Sequence, residues 1–200
     1  MVDTPDMIDV VFDLSGSSVP GGYAFKLWSE IVGFLPWLND EKNAGILPLR
    51  GSASGESTLL SKRTKLILRL PQERAAQAAL LSSKQLNIEG SVLIVGKGKE
   101  RPLQASTTLH TYMVESLLEE EAFLAEMREK LQQMNITCNL ICDRHRQVRG
   151  MNQSLSGFGL VLHDLKPLAS LQIQRKGLGG SRHYGCGIFV PFKAISGLDS

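Results

Sequence analysis

Residues 177–192 read GLGGSRHYGCGIFVPF, a glycine-rich segment that runs directly into an apolar one. A helical pattern precedes the glycines and a strand pattern follows them. Dinucleotide-binding glycine motifs have the reverse order, with the strand before the glycines and the helix after them. The stretch therefore favours a helix, loop and strand in succession over a dinucleotide-binding fold.

The glycine-rich loop, residues 177–187, pairs backbone freedom with cationic side chains. Glycine adopts positive φ and lets a ligand approach the backbone closely. Consecutive exposed amides form an anion-binding concavity, and an arginine adds a planar donor fork suited to phosphate. We predict phosphodiester contacts from Gly177, Gly179, Gly180, Ser181, Arg182, Gly185 and Gly187. The alternative, that the glycines only turn a helix into a strand, stays open.

Upstream of this loop, one order of elements occurs twice. Apolar periodicity and turn residues predict β-α-β-β-α-β in each half, and so an α+β protein of two tandem ferredoxin-like (RRM-like) domains. The predicted domains cover residues 1–98 and 104–200, with a linker at 97–104. The first half comprises strand 7–14, helix 23–35, strands 46–50 and 64–70, helix 71–81 and strand or hairpin 86–95, with a mobile loop at 51–62. The second comprises strand 107–114, helix 117–134, strands 136–142 and 154–162, helix 168–176 and strand 187–192.

Composition is compatible with two cores and a nucleic-acid partner. The chain has 200 residues, of which 42% are hydrophobic, and a formal net charge of +2. Its charge is uneven, because residues 1–50 hold seven acidic and three basic side chains whereas residues 143–193 hold two acidic and eight basic. A basic stretch of this kind is typical of a nucleic-acid contact surface, although a solvated face has the same count.

The densest basic stretch is 143–150, which the pattern places in a hairpin or loop between two strands. Arg144, His145, Arg146 and Arg149 are predicted to contact RNA phosphates. A second basic cluster comprises Lys62, Arg63, Lys65 and Arg69. Because no aromatic-rich RNA-binding strand motif is present, recognition of stem shape and backbone is favoured over base stacking.

The three cysteines form no CxxC pair, which favours reduced thiols in a cytoplasmic protein. No apolar run approaches the roughly 18 residues of a membrane span, and the acidic N-terminus lacks a basic targeting region. Metal-ligand spacing is also absent, so no metal or other cofactor is expected.

The spacing of the glycine-rich loop, Gly-hydrophobic-Gly, five residues, Gly-hydrophobic-Gly, resembles the signature of the Cas6 family of CRISPR-associated endoribonucleases. That family is also built from a duplicated ferredoxin-like unit. Its Myxococcus-type variant is the most similar, through Gly22-Tyr23-Ala24, Ala122-Phe123-Leu124 and the Gly-Leu-Gly-Gly start of the loop.

The resemblance implies that a prokaryotic cytoplasmic protein binds a CRISPR repeat stem-loop and cuts precursor crRNA at the base of the stem. The implied reaction is metal-independent attack of a ribose 2′-hydroxyl on the adjacent phosphate. Whether the protein then stays in an effector complex (Cascade) is left open. Two alternatives are a non-catalytic stem-binding subunit and a metabolic ferredoxin-like enzyme with a phosphorylated ligand.

The family most often places a catalytic histidine in or near the first helix, where this sequence has none. Tyr23 and Lys26 occupy that stretch at i and i+3, and they are the predicted catalytic residues there. His183, expected to be exposed in a flexible loop, is the alternative acid or base. Packing roles for Tyr23 and solvation for Lys26 stay open, and His110 and His163 are predicted to be structural or edge residues.

Overall fold

A computed structural model describes residues 5–192. Its helices are α1 (Tyr23–Phe34), α2 (Ala75–Ala78), α3 (Glu120–Gln133) and α4 (Pro167–Lys176). Its strands are β1 (Met7–Ser15), β2 (Ser18–Pro20), β3 (Gly45–Ile46), β4 (Gly51–Ser54), β5 (Ser57–Leu60), β6 (Lys65–Pro71), β7 (Gln85–Ile88), β8 (Ser91–Pro102), β9 (Leu109–Glu115), β10 (Asn139–Arg149), β11 (Ser154–His163) and β12 (Val190–Pro191). In this part of the chain, no helix has the length and apolar character needed to cross a membrane.

The two large sheets share one topology. The first has the order β3-β6-β1-β8-β7 and the second the order β10-β11-β9-β12, with every pairing antiparallel. In both, the first strand of the unit lies between the third and the fourth, as a ferredoxin-like β-α-β-β-α-β order requires. The predicted pair of ferredoxin-like units is confirmed.

Each unit has its own apolar core. In the first, α1 buries Leu27, Trp28 and Ile31 against the sheet. In the second, α3 buries Phe123, Met127 and Leu131, which recur every four residues and so lie on one helical face. Full burial of one such side chain contributes about 1.5 to 3 kcal/mol.

Three segments that the sequence predicts as connections form regular secondary structure. The mobile loop expected at 51–62 contains the hairpin of β4 and β5, which joins β2 in a small third sheet. Most of the linker expected at 97–104 is the end of β8, where Pro102 still pairs with Ile8. The predicted boundary at residue 98 therefore falls inside a strand. The outer ends of the predicted domains, 1–4 and 193–200, lie outside the described residues.

The third segment is 143–150, which was predicted as a hairpin or loop between two strands and lies almost wholly within β10. The strand pairs with β11 as far as Arg149, after a register shift between Cys142 and His145. Much of this strand is exposed and carries polar side chains. Its sequence therefore lacks the hydrophobic pattern by which a strand is predicted.

Arg69 joins the two units and is 1% exposed. Its Nε donates to the Asp9 carboxylate at 2.7 Å, and its Nη1 donates to the carbonyl oxygens of Gln174 at 3.2 Å and Phe189 at 2.5 Å. Because it is buried inside this junction, Arg69 is not part of an exposed basic surface with the other residues of the second basic cluster.

Candidate nucleic-acid interface and active site

A cleft of about 1070 Å³ opens between the two ferredoxin-like units. The first unit contributes residues 20–24, at the start of α1, and residues 47–51. The second contributes His110 and Tyr112 of β9 and residues 147–149 of β10. We call this space the interunit cleft. It is a site for a ligand that contacts both halves of the chain.

Gly22 brings the two walls of the cleft together. It has φ of 74°, in the left-handed region, and a β-carbon at this position would lie 1.7 Å from the carbonyl oxygen of Arg149. The same close approach places Gly150 against the Phe25 ring, because a β-carbon at Gly150 would lie 2.6 Å from that ring. The hairpin of β10 and β11 thus packs directly on the start of α1.

Tyr23 directs its hydroxyl group toward the backbone of the cleft wall. Its oxygen accepts a hydrogen bond from the Leu49 N–H at 2.8 Å. Burial raises the pKa of Tyr23 to about 12. The phenol is therefore protonated at neutral pH, and its own hydrogen is available to donate.

Lys26, the other residue predicted on this helix, does not line the cleft. Its Nζ pairs with Glu30 Oε1 at 2.8 Å, and the second oxygen of Glu30 accepts from the Asn87 N–H at 3.0 Å. The ion pair ties Lys26 toward β7. The i, i+3 spacing therefore does not bring Tyr23 and Lys26 into one site.

His183 lies against α1 rather than in an exposed flexible loop, so that expectation was wrong. Its ring stacks on Trp28 with 4.5 Å between centroids, and the imidazole is half-buried. Burial lowers the pKa of His183, and the charge of Arg182 lowers it further. The next residue, Tyr184, packs on Phe25 and lines the cleft, whereas His183 does not.

The glycine-rich loop is folded into the junction of the units. The N–H of Gly187 donates to the Met113 carbonyl at 2.7 Å. At Gly185, with φ of 89°, a β-carbon would lie 2.9 Å from Pro48 Cγ. Gly177, Gly185 and Gly187 are all buried. These contacts give the three glycines a packing role, as the alternative interpretation of the loop anticipated.

Only the tip of the loop, Gly179 and Gly180, is exposed. The Glu115 carboxylate lies beside this tip and accepts a hydrogen bond from the Ser181 hydroxyl. A carboxylate at this point repels a phosphate. Contacts of the tip with RNA stay a prediction.

Arg182 corrects a further expectation, because its guanidinium group points inward. The residue is 8% exposed, and its Nη1 donates to the Lys176 carbonyl at 3.0 Å. Burial, together with the charge of Arg69, lowers the pKa of Arg182 to about 10. It therefore presents no donor fork to a phosphate at the surface.

The predicted basic residues of β10 differ in their surroundings. Arg146 pairs with Asp143 at 2.5 Å, and its guanidinium carbon lies 4.8 Å from the Tyr112 ring centroid. Arg149 lines the cleft, with its Nε donating to Gln147 Oε1 at 2.9 Å. Arg144 and His145 are exposed. Arg149 and Arg144 thus remain available to an RNA backbone, while Arg146 is held over an aromatic ring.

Sequence reasoning missed two residues of the cleft, Arg50 and His110. Arg50 is an exposed cation in the cleft, and His110 is half-buried there. Burial lowers the pKa of His110, and the charges of Arg50 and Arg146 lower it further. The alternation of His110 and Tyr112 with buried Leu109, Thr111 and Met113 is a signal that both belong to the open face of β9.

Comparison with known proteins gives one consistent result. The profile of the family described as Cas6 Crispr matches residues 8–194. The CRISPR-associated endonuclease Cas6 of Myxococcus xanthus is 33% identical over 186 residues, which cover 92% of this chain and 81% of that protein.

Solved structures share the fold. A Cas6-related protein from Pyrococcus furiosus has a TM-score of 0.67 at 13% identity, with 92% of this chain and 97% of that one covered. Thermus thermophilus Cse3, bound to an RNA that represents a pre-cleavage complex, has a TM-score of 0.54 at 13% identity, with 92% and 98% covered.

Proposed function

Because this chain belongs to the Cas6 family of CRISPR-associated proteins, we propose that its interunit cleft holds the scissile phosphate of a CRISPR repeat RNA. Family membership and the 33% identical Cas6 endonuclease confirm the predicted class of activity, a CRISPR endoribonuclease that processes crRNA. The interunit cleft and the side chains that line it are proposed as the place where this reaction occurs.

One observation carries the choice of this cleft: it combines two arginines and a half-buried tyrosine from opposite walls. Arg50 and Tyr23 come from the first unit and Arg149 from the second. Cleavage by a ribose 2′-hydroxyl requires positive charge on the phosphate oxygens and a proton for the leaving 5′-oxygen. The arginines supply the first need and the Tyr23 hydroxyl the second.

In this mechanism the 2′-oxygen attacks phosphorus, the bond from phosphorus to the 5′-oxygen breaks, and the product ends in a 2′,3′-cyclic phosphate. No metal ion is required, because the arginine side chains neutralise the charge that develops on phosphate. The exposed side chains of β10, including Arg144 and His145, contact the repeat stem through its backbone.

We further propose that the protein acts in the prokaryotic cytoplasm and keeps its product. The stem remains bound to the exposed basic side chains of β10 after cleavage, which would allow the protein to serve as a subunit of an effector complex. A non-catalytic stem-binding subunit is the second candidate. The observation that favours it is the absence of histidine from α1.

The test is incubation of the full chain with repeat RNA from its own CRISPR locus in EDTA. We expect one cut at the 3′ base of the stem and a cyclic phosphate end. A substrate with 2′-deoxyribose immediately upstream of the cut should bind equally well and stay intact. Cleavage that needs added metal, or cleavage of the deoxy substrate, contradicts the mechanism. Tight binding without any cleavage favours the non-catalytic subunit.

A further inference from the structure

The proposed reaction lacks a group that removes the proton of the attacking 2′-hydroxyl. Tyr23 cannot do so at neutral pH, because burial raises its pKa to about 12 and keeps it protonated. Among the other side chains of the cleft, Arg50 and Arg149 are permanent cations. The carboxylates of Glu56 and Glu89 and the imidazole of His110 also line the cleft, and each can accept a proton. Of these acceptors, the imidazole is the type of side chain whose unperturbed pKa lies nearest to neutral pH, which suits a general base best.

His110 has the required position. It lies in β9, between β11 and β12, and pairs with Val161 and Val190. The same face of β9 carries Tyr112 two residues later, and both side chains line the cleft. His110 thus faces the space into which the start of α1 presents Tyr23.

The surroundings of His110 favour the neutral form of its imidazole. Arg50 approaches from the first unit, while Arg146 and Asp143 approach from β10. The Phe192 ring packs edge-on at 5.1 Å. Burial is the largest cause that lowers the pKa of His110, and the two arginines outnumber the single carboxylate that opposes them.

The ring nitrogens of His110 have no hydrogen-bond partner among the described residues. No hydrogen bond from residues 5–192 reaches either ring nitrogen, whereas His163 at the end of β11 lies 3.2 Å from the Thr108 hydroxyl through its Nδ1. A neutral imidazole with a free lone pair, beside cations that attract phosphate, is well suited to accept a proton.

From this placement we infer that His110 is the general base of the cleavage reaction, an inference that rests on the proposed function. The 2′-hydroxyl proton moves to an imidazole nitrogen as the new bond from oxygen to phosphorus forms. The bond to the 5′-oxygen breaks, and that oxygen takes the Tyr23 proton. Water then removes the proton from the imidazolium and returns one to the phenolate, so both residues are restored.

The test compares His110→Asn and His110→Ala with wild type under single-turnover conditions between about pH 5 and 8. We expect both variants to bind repeat RNA normally and to cleave at least about 100-fold more slowly. The wild-type rate should fall as the pH drops through the pKa of His110, because the protonated ring accepts no proton. That acidic limb should be missing from the residual rate of both variants, and added imidazole should partly restore His110→Ala.

His163→Asn is the matched control, since this histidine lies outside the cleft, and it should keep the wild-type rate and pH profile. Thermal unfolding of each variant shows whether a loss of cleavage comes from misfolding. If His110→Ala is partly misfolded, rescue of cleavage by added imidazole in the folded fraction still shows whether His110 acts as the base. A wild-type rate and acidic limb in both His110 variants overturns the inference, as does loss of RNA binding alone. Wild type that never cleaves overturns the proposed function itself.

Discussion

The α-carbon of Gly22 lies so close to the Arg149 carbonyl oxygen that an added β-carbon would sit 1.7 Å from it. Together with the packing of Gly150 on the Phe25 ring, this contact sets the distance between the start of α1 and the hairpin of β10 and β11. Any side chain at residue 22 must separate the two walls of the cleft or change the backbone of one.

We therefore expect Gly22→Ala to impair cleavage strongly. The left-handed backbone alone costs alanine about 1 to 2 kcal/mol, and displacement of Arg149 adds to that cost. The single-turnover cleavage rate and the midpoint temperature of thermal unfolding should both decrease. The control is Gly33→Ala, since Gly33 lies on the exposed side of α1 with no atom within 4 Å of an added β-carbon. It should stabilise the helix by about 0.5 to 1 kcal/mol. Equal behaviour of the two variants contradicts the close approach.

Arg69→Met should destabilise the junction of the two units. Within residues 5–192, the substitution leaves the Asp9 carboxylate with Arg101 as its one cationic partner, and it removes the donor to Gln174 and Phe189. Breaking a buried ion pair in this way costs about 3 to 5 kcal/mol, measurable as a lower unfolding midpoint in urea. Lys65→Met on the same strand removes an exposed pair with Asp13 and should change the midpoint little. A similar midpoint for both variants argues against a stabilising role of the buried Arg69 contacts between the two units.

The order of elements was predictable because the first helix of each unit, α1 and α3, and the central strands follow clear hydrophobic periods. Phe123, Met127 and Leu131 are an example, since their spacing alone identifies the buried face of α3. The same reasoning missed β4, β5 and the end of β10. Their side chains are largely exposed, so backbone pairing rather than burial determines these strands.

The site was less predictable, because it forms where two units meet. Tyr23 was identified through its place at the start of α1, but no local pattern shows that Arg50 and His110 enter the same cleft. Arg182 illustrates the opposite error. A glycine-flanked arginine suggests a surface phosphate contact, yet packing against Gly177 turns it inward.

Substitutions in the glycine-rich loop should separate packing from RNA contact. Gly185→Ala is expected to unfold at lower temperature, because its φ is 89° and the new β-carbon meets Pro48. Gly180→Ala should keep the wild-type stability, since the added carbon has only an ordinary contact with Glu115 at 3.7 Å. Weaker RNA binding by a stable Gly180→Ala protein supports the predicted tip contact. Unchanged binding limits the loop to its packing role.

The basic side chains of β10 should determine the salt dependence of RNA binding. Each phosphate contact releases counterions, so Arg144→Ala and Arg149→Ala should each reduce the slope of log affinity against log salt by about one. Arg146→Ala should change the slope less, because this residue is already paired with Asp143. Titrations of the repeat hairpin at several salt concentrations measure these slopes. Unchanged affinity in the variant that lacks all three arginines excludes this face as the RNA surface.

Tyr23→Phe tests the proton donor directly. The change keeps the ring and removes the hydroxyl that accepts from the Leu49 N–H, so we expect single-turnover cleavage to fall by about 10-fold to 1,000-fold with little change in RNA affinity. The pKa of about 12 also predicts a wild-type rate that does not fall between neutral pH and about pH 10, since the phenol stays protonated there. Lys26→Ala and His183→Ala test the two catalytic residues predicted from sequence that lie outside the cleft. A large loss of cleavage in either, combined with a normal rate in Tyr23→Phe, would move the proton chemistry away from the cleft and toward the outer side of α1.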